Sequence, residues 1–211
     1  MYWLILAVAF WGFFHSFNAS FGVKDFYRRL MGESFMKYYR LFYNFIAVLT
    51  FSPILVLLIQ MPSEVVYGFP APLSYLMIAG QVIFAMFLLT AIFQFGILYF
   101  IGLRQLVQAD GKRELITGGL YRHVRHPFYT FALLFLWLSP VVTVHLLIVY
   151  IALSVYIYIG IIFEERKLLR EFGAAYVQYR ESTSMLIPGL KFPGNKWVSR
   201  SVLKQQTPDK V

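Results

Sequence analysis

Residues 145–163 read HLLIVYIALSVYIYIGIIF, an apolar run without Asp, Glu, Lys or Arg, and Glu164-Glu165-Arg166 follows directly. A helix rising about 1.5 Å per residue over this length approaches the ~30 Å hydrocarbon core of a bilayer. A second apolar run, 127–142, lies just upstream across Ser139-Pro140-Val141-Val142-Thr143-Val144-His145. One continuous helix over both runs would be about 55 Å long and would overshoot a membrane, so a two-helix hairpin is expected. Further runs of spanning length lie at 2–19, 41–60 and 74–103. The expected fold is all-α: a polytopic membrane bundle of about five transmembrane helices. A single domain covers 1–190, and 191–211 form a basic C-terminal tail.

Composition agrees. Of 211 residues, 59% are hydrophobic and 14% charged, against roughly a quarter charged in soluble domains. So few charges cannot cover a water-exposed surface, and lipid is the expected solvent. The chain has no Cys, which excludes disulfides, thiolate metal ligands and a Cys nucleophile. A formal charge of +9 is compatible in size with a nucleic-acid partner, but its distribution argues otherwise. Every Lys and Arg falls between the first and second runs, between the third and fourth, or after the fifth, while the opposite side carries only Glu64. The positive-inside rule then predicts the N-terminus outside, and segments 104–126 and 164–190 on the cytoplasmic side with the tail. The expected partner is the lipid bilayer, with anionic lipid as a secondary contact for the basic segments. No nucleic acid and no obligate protein partner is inferred. The first run lacks a basic start and a small-residue cleavage site, so it reads as a retained helix. The charge asymmetry suits a bacterial inner membrane.

Three polar segments border that face: Phe100–Gln105, Gly118–Tyr129 and Glu164–Arg166. In the second, the Gly118-Gly119 pair permits a tight turn or a close backbone approach. Pro127 suits the first turn of a helix, and His126 before it is biased toward extended backbone. The ring of His126 and Tyr129 would then sit at a helix mouth, where anionic groups are favoured. A basic, aromatic interfacial belt would look the same from spacing alone. The hairpin would bring Glu164 and Glu165 back to Tyr121, His126 and Tyr129. Carboxylates among aromatics suit a ligand with ammonium and sulfonium groups; alternatively Arg166, Lys167 and Arg170 merely offset them. His123 and His126 have only a generic spacing, and no metal is expected. Among polar residues inside spans, Asn18, Asn44, Gln81 and Gln94 are expected to bond between helices. His15 is open to either helix packing or a substrate-side role.

Over residues 100–190 the chain resembles the isoprenylcysteine carboxyl methyltransferase-like superfamily of membrane methyltransferases. The resemblance rests on Gly119-Leu120-Tyr121, Arg125-His126-Pro127-Phe128-Tyr129, Glu164-Glu165-Arg166-Lys167-Leu168, Phe172-Gly173-Ala174-Ala175-Tyr176, Tyr179 and Pro188. Trp11–Ser16, Tyr39–Asn44 and Phe100–Gln105 resemble the branch that includes methanethiol S-methyltransferases and membrane proteins associated with nitrite and nitric oxide reduction. The resemblance implies S-adenosylmethionine as cofactor, with Leu115, Ile116, Tyr121, His126, Pro127, Phe128, Tyr129 and Glu164 at its pocket. Four residues before Glu164, prenylcysteine methyltransferases carry an Arg implicated in holding the substrate carboxylate. Here that position is Gly160, which cannot pair a carboxylate.

The implied activity is methyl transfer to a small or lipophilic thiol, with a phospholipid amine or prenylcysteine carboxylate as alternative acceptor. A thiol reacts as thiolate, so Arg104, Arg125 and His126 are candidate catalytic groups, and His15 and Gly160 candidate substrate-side positions. A non-enzymatic membrane partner or a transporter is the competing class. The absence of an internal repeat and the rim position of the polar cluster count against a transporter.

Overall fold

The computed structural model describes residues 2–107 and 114–190. The helices are α1 (Tyr2–Ala19), α2 (Phe21–Met36), α3 (Tyr39–Gln60), α4 (Leu73–Phe95), α5 (Ile97–Ile101), α6 (Arg104–Val107), α7 (Pro127–Trp137), α8 (Val144–Phe172) and α9 (Ala174–Ser182). Two short strands, β1 (Val65–Gly68) and β2 (Val141–Thr143), and a 3₁₀ turn at Gly119–Arg122 complete the described elements. The expected tail, 191–211, lies outside the described residues.

Four described helices are long and apolar enough to cross a membrane: α1, α3, α4 and α8. Their outward residues are apolar. Ile59, for example, is 84% exposed, and Val48, Leu76 and Phe93 are also open. Such a surface would be costly in water and is at home in lipid. The molecule is an integral membrane protein. Its interior is narrow: Leu4 and Val8 of α1 pack with Ile54 of α3 and Val149 of α8.

The expected helix limits need correction in four places. The run at 74–103 is broken, because Gly96 adopts φ 97° and ψ 105° and ends α4. A second glycine, Gly102 (φ 98°), ends α5 where a Cβ would lie 2.8 Å from the backbone nitrogen of Leu41. The run at 127–142 yields a helix of only 11 residues, about 16 Å long and too short to cross by itself. Pro140 explains this, since it disfavours helical geometry at Ser139 and cannot donate. The run at 145–163 continues to Phe172, so α8 has 29 residues and Glu164-Glu165 lie two turns inside it rather than at its end. Finally, α2 was not expected; Ser20 caps it by accepting from Val23.

The strands define one end of the bundle. They pair antiparallel, with Val65 opposite Thr143 and Gly68 opposite Val141. Thr143 caps α8 through Leu146 N–H, and the α8 backbone also donates to Glu64 O (2.9 Å) and Ser63 Oγ (3.1 Å). The α3–α4 turn and the hairpin tip are thereby tied together. The opposite end therefore gathers the start of α3, the end of α4, the start of α7 and the last turns of α8.

Polar residues within the apolar helices brace this arrangement. Asn44 Nδ2 donates to Phe100 O (3.0 Å) and Ile101 O (2.8 Å), satisfying carbonyls at the end of α5. Gln81 Nε2 donates to Phe135 O of α7. Gln94 Oε1 accepts from Leu120 N–H. These three make the expected bonds between segments. Asn18 differs: its side chain donates to Phe14 O in its own helix.

Candidate active site

At about 1.5 Å per residue α8 is roughly 43 Å long, so beyond Phe163 it extends past an apolar slab of ~30 Å. Glu164 and Glu165 sit on this extension. The 119–126 segment faces them. Gly119 turns it with φ 59°, and a Cβ there would collide with the Gln94 side chain. The close-approach reading of the Gly pair therefore applies at Gly119. Backbone bonds from Arg125 N to Ser184 O (2.8 Å) and from His126 N to Met185 O (3.2 Å) then fasten the segment to residues after α9. His126 caps α7 with φ −125° and ψ 62°, outside the helical region as its position before Pro127 requires.

Arg125 holds the centre of this frame. Its Nε and Nη2 both lie 2.7 Å from Glu165 Oε1. Its Nη1 donates to Arg180 O (3.1 Å) and Thr183 O (2.5 Å). His126 Nε2 lies 3.3 Å from the same Glu165 oxygen, and His126 Nδ1 lies 3.9 Å from Glu164 Oε2. Burial works against the Glu165 charge, but the hydrogen bond with His126 and the Arg125 guanidinium outweigh it and hold the carboxyl down to about 2. Tyr179 donates to Tyr121 O at 2.5 Å, joining α9 to the 3₁₀ turn.

These elements surround a cleft with about 890 Å³ of atom-free space, including its open mouth. Leu115, Ile116, Tyr121, Arg125, His126, Pro127, Phe128, Tyr129 and Glu164 all line it. Arg104, His15 and Gly160 do not. His15 instead lies between α1, α3 and α8, in contact with the hydroxyls of Tyr43 and Tyr156.

The cleft also contains residues that sequence reasoning did not assign to it: Arg40, Ala91, Ile92, Phe95, Phe100, Glu114, Leu168, Phe172, Tyr176 and Tyr179. A helical spacing of four from Glu164 would have found Leu168 and Phe172. Arg40 has no comparable signal. It reaches the cleft because α5 packs on the start of α3, with the Arg40 guanidinium carbon 4.1 Å from the Tyr99 ring centroid.

Three features make the cleft suited to a zwitterionic ligand with an aromatic group. Glu164 keeps a partly exposed carboxylate beside the Tyr129 side chain. The Tyr176 hydroxyl is buried near the Glu165 carboxylate but meets no partner with hydrogen-bond geometry among the described residues, a condition usually relieved by a ligand or water. Burial, followed by the neighbouring Glu165 carboxylate, pushes the Tyr176 phenol above its ordinary range, so it is a neutral donor at physiological pH. Aromatic faces at Phe95, Phe100, Tyr121 and Phe128 supply stacking and cation–π surface.

Residues 71–175, which include most of this cleft, match the family model for phospholipid methyltransferases. The chain is also similar to curated bacterial proteins. It is 43% identical over 72 residues to methanethiol S-methyltransferase 1 of Bradyrhizobium diazoefficiens, covering 34% of this chain and 25% of that protein. It is 44% identical over 94 residues to methanethiol S-methyltransferase 2 of the same organism, covering 42% and 36%. To the methanethiol S-methyltransferase of Pseudomonas deceptionensis it is 34% identical over 113 residues, covering 53% and 42%. The matched stretches thus span less than half the length of these relatives. No solved structure matches the chain. Fold and comparisons together define a helical membrane protein with a phospholipid methyltransferase-like region. The expected resemblance to membrane methyltransferases, and to methanethiol S-methyltransferases among them, is found.

Proposed function

We propose that the protein is an S-adenosylmethionine-dependent integral-membrane methyltransferase acting on a small or lipophilic thiol. The observation that carries this reading is the convergence of the Glu164 carboxylate, the unpartnered Tyr176 hydroxyl and an aromatic wall on one cleft. The printed names of the relatives favour a small thiol as acceptor. When bound, S-adenosylmethionine supplies a methyl group activated by attachment to a sulfonium.

The chain's residues would divide the work as follows. Glu164 offers negative charge to the donor's ammonium and sulfonium end, and Arg40 offers positive charge to its carboxylate. Tyr176 donates a hydrogen bond. Leu115, Ile116, Pro127 and Phe128 form the apolar wall, with Tyr121 and Tyr129 beside them. Arg125 spends four of its five N–H donors on Glu165 and two carbonyls, so its role is to position His126 and α8 rather than to meet the acceptor. Orientation of donor and acceptor can by itself lower the barrier by roughly 7–11 kcal/mol. Gly160 offers no cation for a substrate carboxylate, which disfavours a prenylcysteine.

The one-sided distribution of Lys and Arg supports a cytoplasmic cleft, and with the bacterial relatives it supports a bacterial inner membrane. A phospholipid amine is the second acceptor reading, favoured by the family that matches residues 71–175.

The test uses the full chain in lipid nanodiscs, with calorimetry of S-adenosylmethionine and S-adenosylhomocysteine. Binding of either is expected, with weakening in Glu164→Ala. Absence of binding by both in a folded preparation overturns the enzyme reading.

A further inference from the structure

A second polar constellation lies outside the cleft, on the same end of the bundle. His15 is one turn before the end of α1, and Tyr43 is one turn into α3. The Tyr43 hydroxyl lies 2.6 Å from His15 Nε2 and 2.8 Å from Nδ1, and the Tyr156 hydroxyl also meets Nδ1. Trp11 stacks on the imidazole with ring centroids 5.1 Å apart. A polar group within apolar helices is costly unless it is satisfied or used. Three helices here converge on a single imidazole.

This cluster connects to the cleft along α8. Tyr156, Gly160 and Glu164 follow at intervals of four, one face of the helix with about 6 Å between successive positions. Glu164 lines the cleft and Tyr156 touches His15. Between them, a Cβ built on Gly160 would meet no atom within 4 Å. Of the exposed residues of this region, Val155, Tyr158 and Ile162 lie on the other side of the helix, while Ile159 and Phe163 stand about 100° and about 60° from the Gly160 face. Tyr129 of the cleft wall lies within electrostatic reach of both Tyr43 and Tyr156. On the far side of the cluster, α1 and α3 border a shallow hollow with about 310 Å³ of atom-free space, its open mouth included. Phe14, Phe42 and Ile46 supply its apolar walls, and His15 and Tyr43 its polar ones.

We propose that a small thiol docks at the bare helix face of Gly160 and that His15 takes its proton. The inference rests on the methyltransferase reading above. The acceptor sulfur forms the new S–CH₃ bond while the methyl–sulfonium bond breaks, and that bond's electron pair stays on the donor sulfur. The S–H proton passes to the Tyr156 hydroxyl oxygen as that hydroxyl hands its own proton to the unprotonated Nδ1 of the neutral imidazole. Tyr43, at Nε2, is a positioning residue that fixes the ring and its tautomer. The opening at Gly160 suits an acceptor without a carboxylate.

The test compares a small alkyl thiol with the corresponding alkyl selenol, which is more acidic and needs less help in losing its proton. In the full chain in nanodiscs, His15→Gln is expected to lower kcat/KM for the thiol by about 10²–10⁴-fold, the usual worth of a general base. For the selenol the expected loss is under about tenfold, and S-adenosylhomocysteine binding by calorimetry stays within about threefold. Gly160→Leu occupies the opening, where a Cβ meets no atom within 4 Å, and is expected to raise KM for both acceptors at least about tenfold with donor binding retained. Should His15→Gln not fold, Tyr43→Phe gives the same thiol-to-selenol contrast in smaller measure. Equal losses for thiol and selenol, or no loss for either, overturn the assignment of His15 while leaving the methyltransferase reading intact. A wild-type protein that binds the donor but methylates neither acceptor overturns the inference and the thiol reading together.

Discussion

Arg125 and Glu165 meet at 2.7 Å through two guanidinium nitrogens and a single carboxylate oxygen, joining the start of α7 to the extension of α8. Both side chains are largely buried. Removing one partner of such a pair strands the other, at a cost of about 3–5 kcal/mol. Glu165→Gln is therefore expected to lower the unfolding temperature in detergent and to loosen the cleft. The sign with pH follows from the depressed carboxyl, held at about 2 against an ordinary 4.5. Its contribution is full above 4.5 and fades as pH falls toward 2. The stability difference between wild type and Glu165→Gln should be flat between pH 5 and 8 and shrink below 4.5.

Glu164 and Tyr129 test donor recognition. A hydrogen bond to a charged group is worth about 1.5–3 kcal/mol, or roughly 10- to 150-fold in affinity. Glu164→Ala is expected to weaken S-adenosylhomocysteine binding within that range, and Tyr129→Phe by less, since its ring remains. Calorimetry on nanodisc-embedded protein reads both.

Arg40 and Arg104 separate cleft from surface. Arg40 lines the cleft, and Arg40→Ala is expected to cost about tenfold or more in donor affinity. Arg104 does not line it, and Arg104→Ala should leave donor affinity within about twofold. A larger effect at Arg104 than at Arg40 would reverse their assigned roles.

Gly102 tests the broken third helix. Its left-handed φ of 98° and the 2.8 Å approach to Leu41 N leave no room for a side chain. Gly102→Ala is expected to destabilise by about 1–3 kcal/mol and to weaken donor binding, because Arg40 and Phe100 on either side both line the cleft. Thermal unfolding and calorimetry together distinguish this from a purely local strain.

Much of this architecture is legible in the amino-acid order because bilayer solvation acts on every residue at once. Apolar run length located α1, α3 and α8, and the turn at 139–145 located the hairpin. The Gly119–Tyr129 segment and Glu164 converge because a hairpin must return to the side where it began. Run length could not see the breaks at Gly96 and Gly102, where glycine is as apolar as its neighbours and only backbone φ distinguishes it. Nor could it see that α7 stops at Trp137, since Val141 and Val142 continue the hydropathy while forming β2. Arg40 was hidden because its place in the cleft depends on α5 closing against α3, a packing event between segments some sixty residues apart. Arg125 was legible in position but not in its bonds; the carbonyls that occupy it belong to Arg180 and Thr183.

The most direct test of the central claim is methyl transfer itself. The full chain in nanodiscs would be incubated with methyl-labelled S-adenosylmethionine, a small alkyl thiol and phosphatidylethanolamine, and the labelled products identified. The account predicts label in the alkyl methyl thioether, lost in Glu164→Ala. Label confined to lipid, or no transfer by a protein that binds the donor, would contradict it.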